Sequence, residues 1–103
     1  MPETTVIAPE GELDIAHVAD FRAVLLDAAD GDATRLVVDL SNVTFIDSSG
    51  LGALVEMHNR LRRCKRELAV VAPGGTAVTV AIDLAGLRNR LPTFDTLPAA
   101  LDT

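Results

Sequence analysis

Residues 35–40 limit the folds open to this chain more than any other segment, because Leu36, Val37, Val38 and Leu40 make them almost continuously apolar. A strand with one wet face alternates apolar and polar residues, whereas a continuous apolar run is covered on both faces, typically by helices. Residues 68–72 form a second such run, stopped by Pro73-Gly74-Gly75. Around these runs the spacing switches to the helical period. Ile15, Val18, Phe21, Leu25 and Ala28 follow Asp14, a good N-cap, and precede Gly31, which stands where a C-terminal cap belongs. Leu51, Leu54, Val55, His58 and Leu61 mark a second inward stripe, and Thr76 is placed to cap a third helix that Gly86 ends. Residues 5–8, 43–46 and 91–94 read as short strands, and residues 97–101, begun at Thr96, as a short last helix.

Strands alternating with helices define an α/β fold, here one domain over residues 1–103 with a mixed central β-sheet and flanking α-helices. A chain of this length buries about two thirds of its unfolded surface on folding, enough for a core of its own. Hydrophobic residues are 49% of the chain but only three are aromatic, all Phe, so that core is built from Val, Leu, Ile and Ala. No linker, repeat or low-complexity stretch divides it. Cys64 has no second thiol with which to form a disulfide or a thiolate metal site, and reads as a small buried apolar filler.

No apolar run approaches the ~20 residues of a membrane span, and residues 1–8 lack a basic start followed by an apolar signal core, so a cytoplasmic location is expected. A net charge of −6 opposes attraction to nucleic acid and anionic lipid. Arg60, Arg62, Arg63, Lys65 and Arg66 nevertheless supply five of the nine basic residues. Without an aromatic stacking platform, this cluster reads as the end of a helix, where exposed carbonyls favour positive charge.

The segment Phe45-Ile46-Asp47-Ser48-Ser49-Gly50-Leu51-Gly52 places two hydroxyls and two glycines between an extended run and an amphipathic helix. Free backbone N–H groups at a helix start suit a carboxylate, a phosphate or a phosphorylated serine, and Gly50 and Gly52 are expected to leave the approach open. The plain structural reading is capping by Ser48 or Ser49 with Asp47 complementing the helix dipole, together contributing about 1–2 kcal/mol.

Residues 47–52 resemble the signature of the STAS domain, the fold shared by anti-sigma factor antagonists and the cytoplasmic tails of sulfate transporters. Gly11-Glu12-Leu13-Asp14 resembles that family's turn before its first helix, residues 36–40 the strand before the signature, and residues 77–87 the later helix ending in Gly-Leu. In the antagonist branch the second serine of the signature accepts phosphate, which maps the acceptor onto Ser49. The resemblance implies partner switching: the unphosphorylated protein binds an anti-sigma factor that is also a serine kinase, freeing a sigma factor. Phosphorylation at Ser49 ends the binding, and a phosphatase resets it. Glu12, Asp14, Asp47, Ser48, Gly50 and Leu51 are the expected partner face, with Glu12 and Asp14 equally suited to shaping the turn, and Leu51 to burial. No cofactor, metal or catalytic residue is implied. A phosphate carrying about −1.5 to −2 charges at a helix start is compatible with the fold, so the expected effect is a blocked interface rather than unfolding.

Antagonists of this family usually begin with an additional strand, for which few residues stand before Thr5, and the last helix is short; a partner or a weak homodimer would complete such a surface. The same domain also serves as a subunit or scaffold of transport or signalling assemblies, but two serines in the signature favour the phosphorylated branch. A serine hydrolase is the enzyme alternative. Its nucleophile elbow needs glycine two residues before the serine, where Ile46 and Asp47 stand relative to Ser48 and Ser49, and the only histidines, His17 and His58, lie on expected helices. A nucleotide site at Gly50-Leu51-Gly52 lacks a third glycine, with Val55 in that place, and lacks the lysine of a phosphate loop; weak nucleotide binding at the helix start stays open.

Overall fold

The computed structural model describes residues 3–102. Strands β1 (Thr4–Ile7) and β2 (Gly11–Leu13) lead into helix α1 (Val18–Ala29), followed by β3 (Arg35–Asp39), β4 (Val43–Ile46) and the long helix α2 (Ser48–Arg63). Then come β5 (Glu67–Val71), α3 (Ala77–Leu84), β6 (Thr93–Phe94) and α4 (Leu97–Leu101). The sheet has the order β1-β3-β5-β6, and β2 pairs with β4 as a separate two-stranded ribbon. All of these pairings are parallel, so the central sheet is parallel rather than mixed. Among the described residues no strand precedes β1, which forms the sheet edge beside β3.

The apolar runs behave as double-sided burial requires. Leu36, Val38 and Leu40 of β3 and its end, with Leu68 and Val70 of β5, face the main core with Phe21, Leu25, Leu54, Met57 and Ile82. The alternate residues Val37, Ala69 and Val71 are fully covered on the other side by Ala100, Phe94 and Leu97 around α4. At about 1.5–3 kcal/mol for each large aliphatic side chain fully buried, these two layers supply the main stabilisation of the fold. The short last helix thus closes one face of the sheet, capped by Thr96 Oγ1, which accepts from Ala99 N at 3.2 Å.

Local punctuation follows the side-chain chemistry. Asp39 Oδ1 accepts from Ser41 N at 3.0 Å and from Ser41 Oγ at 2.5 Å, turning β3 into β4. Thr76 caps α3 by accepting from Thr79 N at 3.2 Å, and Gly86, with φ +70°, ends it while Leu87 N returns to Ile82 O. The end of α2 has the same hydrogen-bond pattern but places Lys65 in the left-handed conformation, at φ 58°, which glycine adopts more readily. Arg66 closes its own helix through its backbone N–H, which donates to Leu61 O at 2.8 Å, but not through its side chain. Its guanidinium reaches across to donate to Ala29 O (2.7 Å), Ala33 O (2.8 Å) and Gly31 O (3.3 Å), satisfying carbonyls at the end of α1.

Two further expectations change. Ile15 is 75% exposed because α1 starts at Val18, one turn later than its periodicity implied, after a turn built on Asp14. Cys64 is exposed, since it lies just past the last turn of α2 and not on its inward stripe.

Candidate functional site

Strand β4 delivers the chain to α2 through Asp47, the residue that organises this corner. Asp47 is the N-cap: its Oδ1 accepts from Ser49 N at 2.8 Å and from Gly50 N at 3.3 Å, and its Oδ2 accepts from Ile15 N at 3.2 Å. Its own N–H donates to Leu13 O at 3.3 Å. One carboxylate therefore closes the helix start and ties it to the loop between β2 and α1. This corrects the expectation that Ser48 or Ser49 is the cap. A carboxylate at the N-cap also engages the helix dipole, and it occupies two of the N–H groups that an incoming anion would seek.

Both serine hydroxyls are consequently spared structural duty. Neither Ser48 Oγ nor Ser49 Oγ bonds another described residue; Ser48 is exposed and Ser49 half-buried. No hydrogen bond joins either serine to His17 or His58 among the described residues, so the serine-to-base contact of a hydrolase elbow is not formed.

Gly50 and Leu51, expected on the partner face, are buried. A Cβ on Gly50 would lie 2.5 Å from Leu13 O and 2.7 Å from Ile46 Cγ1, so glycine here allows α2 to press against β2 and β4. Gly52 has open space around its Cα, and is the glycine that leaves the surface unobstructed.

The loop that Asp47 holds carries the acidic part of the site. Asp14 Oδ1 accepts from Ala16 N and His17 N, each at 3.1 Å, and lies 2.6 Å from His17 Nδ1. That hydrogen bond, followed by charge attraction, raises the His17 pKa, and the hydrogen bond to His17 is likewise the largest cause lowering that of Asp14. Glu12 is exposed and stands opposite Phe45 in the register of the ribbon. Phe45 is 48% exposed, and with Ile15 it gives the corner two apolar side chains in water. Sequence periodicity assigned Ile15 to the core and did not single out Phe45. The exposure of Phe45 goes with the pairing of β4 with β2 in a ribbon apart from the main sheet, a long-range pairing that periodicity does not record. Behind the corner, Glu10, Asp20, Phe21 and Val24 line a cleft of about 660 Å³ that also includes Glu12 and His17.

Comparisons with known proteins bear on the family and the fold. The model of the STAS domain family matches residues 1–100. The chain is 30% identical over 92 residues to an anti-sigma F factor antagonist of Paenibacillus polymyxa, covering 87% of this chain and 77% of that protein. Among solved structures, an anti-sigma factor antagonist from Mycobacterium paratuberculosis superposes with a TM-score of 0.87 at 29% identity, over 96% of this chain and 83% of the other. The anti-sigma factor antagonist SpoIIAA is similar in its unphosphorylated form (TM-score 0.75, 27% identity, 99% and 88% of the chains). The phosphorylated form, from Bacillus, gives 0.69 at 28% identity over 99% and 91%. A sulfate transporter family protein of Wolinella succinogenes shares the fold at 20% identity, with a TM-score of 0.79 over 96% and 82%. No helix among the described residues is long and apolar enough to cross a membrane.

Proposed function

The chain belongs to the STAS domain family, and from that premise we propose that it is a regulatory anti-sigma factor antagonist whose binding is switched at Ser49. Unphosphorylated, it binds an anti-sigma factor with serine kinase activity and so releases a sigma factor. Phosphorylation of Ser49 ends the complex, and a phosphatase restores it. The observation that carries this reading is the Ser49 hydroxyl, which has no hydrogen-bond partner among the described residues yet sits on a helix start that Asp47 fixes and ties to the loop bearing exposed Ile15. Relatives that are anti-sigma factor antagonists, one of them known in phosphorylated and unphosphorylated forms, support the same choice.

The physical switch is one of charge. Glu12 stands opposite Phe45 in the ribbon, Asp14 precedes Ile15, and Asp47 bonds Ile15 N, so the unmodified face suits a partner that is basic as well as apolar. Asp47 already holds the N–H groups of residues 49 and 50, so a phosphate on Ser49 finds those donors taken and adds its charge outward, beside a carboxylate. Binding is blocked while α2 stays folded.

Incubation with ATP and a cognate anti-sigma factor kinase, with mass spectrometric localisation, is expected to place the phosphate on Ser49. Ser49→Ala should retain kinase binding and Ser49→Asp should weaken it at least tenfold, with unchanged melting curves. Phosphate elsewhere, or equal binding by both variants, would overturn the proposal.

A further inference from the structure

A second groove lies at the opposite end of α2 from Ser49, about 20 Å away along a helix of this length. Its volume is about 400 Å³, within the range of small-molecule sites, and it is bounded by Arg35, His58, Arg62, Leu68, Pro92 and Phe94. The charge here is opposite to that of the whole chain: Arg35, Arg62 and Arg66 line it against the single carboxylate of Glu67, in a protein of net charge −6. Arg35 and Arg66 are held in place, the first by Glu67 (3.6 Å) and the carbonyl of Ala100, the second by the carbonyls at the end of α1. Arg62 is exposed and has no ion-pair partner among the described residues.

His58 supplies the observation that helix-end charge alone does not explain. It is 8% exposed, and its Nδ1 is buried with no hydrogen-bond partner among the described residues. Buried polar atoms in native proteins nearly always have one, so an orphaned imidazole nitrogen beside an open basic groove implies a partner that the chain itself does not provide. We propose that this groove binds an organic phosphate monoester, its phosphate on Arg62 at the His58 side and its apolar body on Pro92 and Phe94, above buried Leu68. Guanidinium groups match phosphate oxygens in a planar, forked geometry, and the apolar side chains of Pro92 and Phe94 in the lining give a reason for a ligand larger than the inorganic ion. Consistent with that field, burial, then Arg62 and Arg90, lowers the His58 pKa, so the imidazole is neutral before a ligand arrives.

Phenyl phosphate is a direct probe, with inorganic phosphate, benzoate and phenol as separate arms, followed by NMR on the full chain. Saturable shifts of the His58 ring and of residues 62, 68 and 94 are expected with phenyl phosphate. Inorganic phosphate and benzoate should bind at least several-fold more weakly, and phenol not at all. The bound dianion should also raise the His58 pKa towards its ordinary value. Arg62→Ala, a surface change that leaves the fold intact, should weaken binding at least tenfold. Benzoate binding as tightly as phenyl phosphate, shifts confined to the Ser49 end, no saturation, or an unaltered affinity in Arg62→Ala would each overturn the assignment.

Discussion

The two ends of α2 are built on opposite principles. At its start Asp47 joins several segments: its carboxylate accepts from two N–H groups of its own helix and from Ile15 N, and its own N–H donates to Leu13 O. At its end Lys65 occupies a left-handed position, the Arg66 side chain serves another helix and His58 keeps a buried nitrogen without a partner among the described residues. The start is acidic and its backbone is closed by a side-chain cap, with two serine hydroxyls left over, while the end is basic and keeps a buried nitrogen unpaired among the described residues. A modification switch needs a platform that survives the modification, which the first end offers. A ligand site needs unmet hydrogen-bonding capacity, which the second offers.

The comparison breaks most visibly at Gly50. Its Cα approaches the backbone of β2 so closely that the methyl of Gly50→Ala would overlap Leu13 O, and a carbonyl cannot rotate away as a side chain can. Overpacking of this kind typically costs about 1–3 kcal/mol, and this site belongs at the upper end, about 3 kcal/mol by urea unfolding. Gly52→Ala, by contrast, adds its methyl to open space, and should stabilise the helix by roughly 0.5–1 kcal/mol, the ordinary advantage of alanine over glycine there. Equal behaviour of the two variants would show that the helix start is not clamped against the ribbon.

Asp47→Ala is the next largest effect. Loss of an N-cap acceptor costs about 1–2 kcal/mol, and the variant also releases Ile15 N, uncoupling the β2–α1 loop from the helix. Faster amide exchange is expected at residues 15, 49 and 50, with that at residues 58–62 unaltered. Exchange that rises equally at both ends would mean that the helix responds as one unit and that its start has no separate organisation.

Much of this architecture was legible in the sequence, and the failures share a cause. Residues 36–40 and 68–72 identified the buried strands because a short run that is apolar on both faces is stable only where both faces are covered. Thr76 and Gly86 fixed α3 because capping chemistry is local. The signature around Ser49 was equally plain, but the capping role was assigned to the wrong side chain: Ser48, Ser49 and Asp47 are all competent caps, and only the position of Ile15, 32 residues away, makes Asp47 the residue that serves two segments. Ile15 itself matched the apolar stripe, yet the Asp14 turn starts the helix later and leaves that side chain in water. The reach of Arg66 to α1 and the orphaned nitrogen of His58 depend on packing between distant elements, which periodicity does not record.

The smallest effect sharpens the contrast furthest, because each end of the molecule carries one histidine. His17, bonded to Asp14, should titrate above 6.5, whereas His58, buried near Arg62 and Arg90, should titrate below it. The signs for stability are opposite. The raised pKa of His17 means that its contribution is fully present below the unfolded value and is lost as pH rises through the folded one. The lowered pKa of His58 means that the unfolded chain binds the proton more readily, so stability falls as pH drops from the unfolded value through the folded one. Proton NMR of the two rings gives the midpoints, and melting temperatures of His17→Gln and His58→Gln across pH 5 to 8 separate the linkages. The advantage of the parent over His17→Gln should shrink as pH rises, and its standing relative to His58→Gln should worsen as pH falls. Two rings titrating together would mean that solvent levels the difference in charge between the ends, removing the electrostatic reason for placing an anionic switch at one and an anion-binding groove at the other.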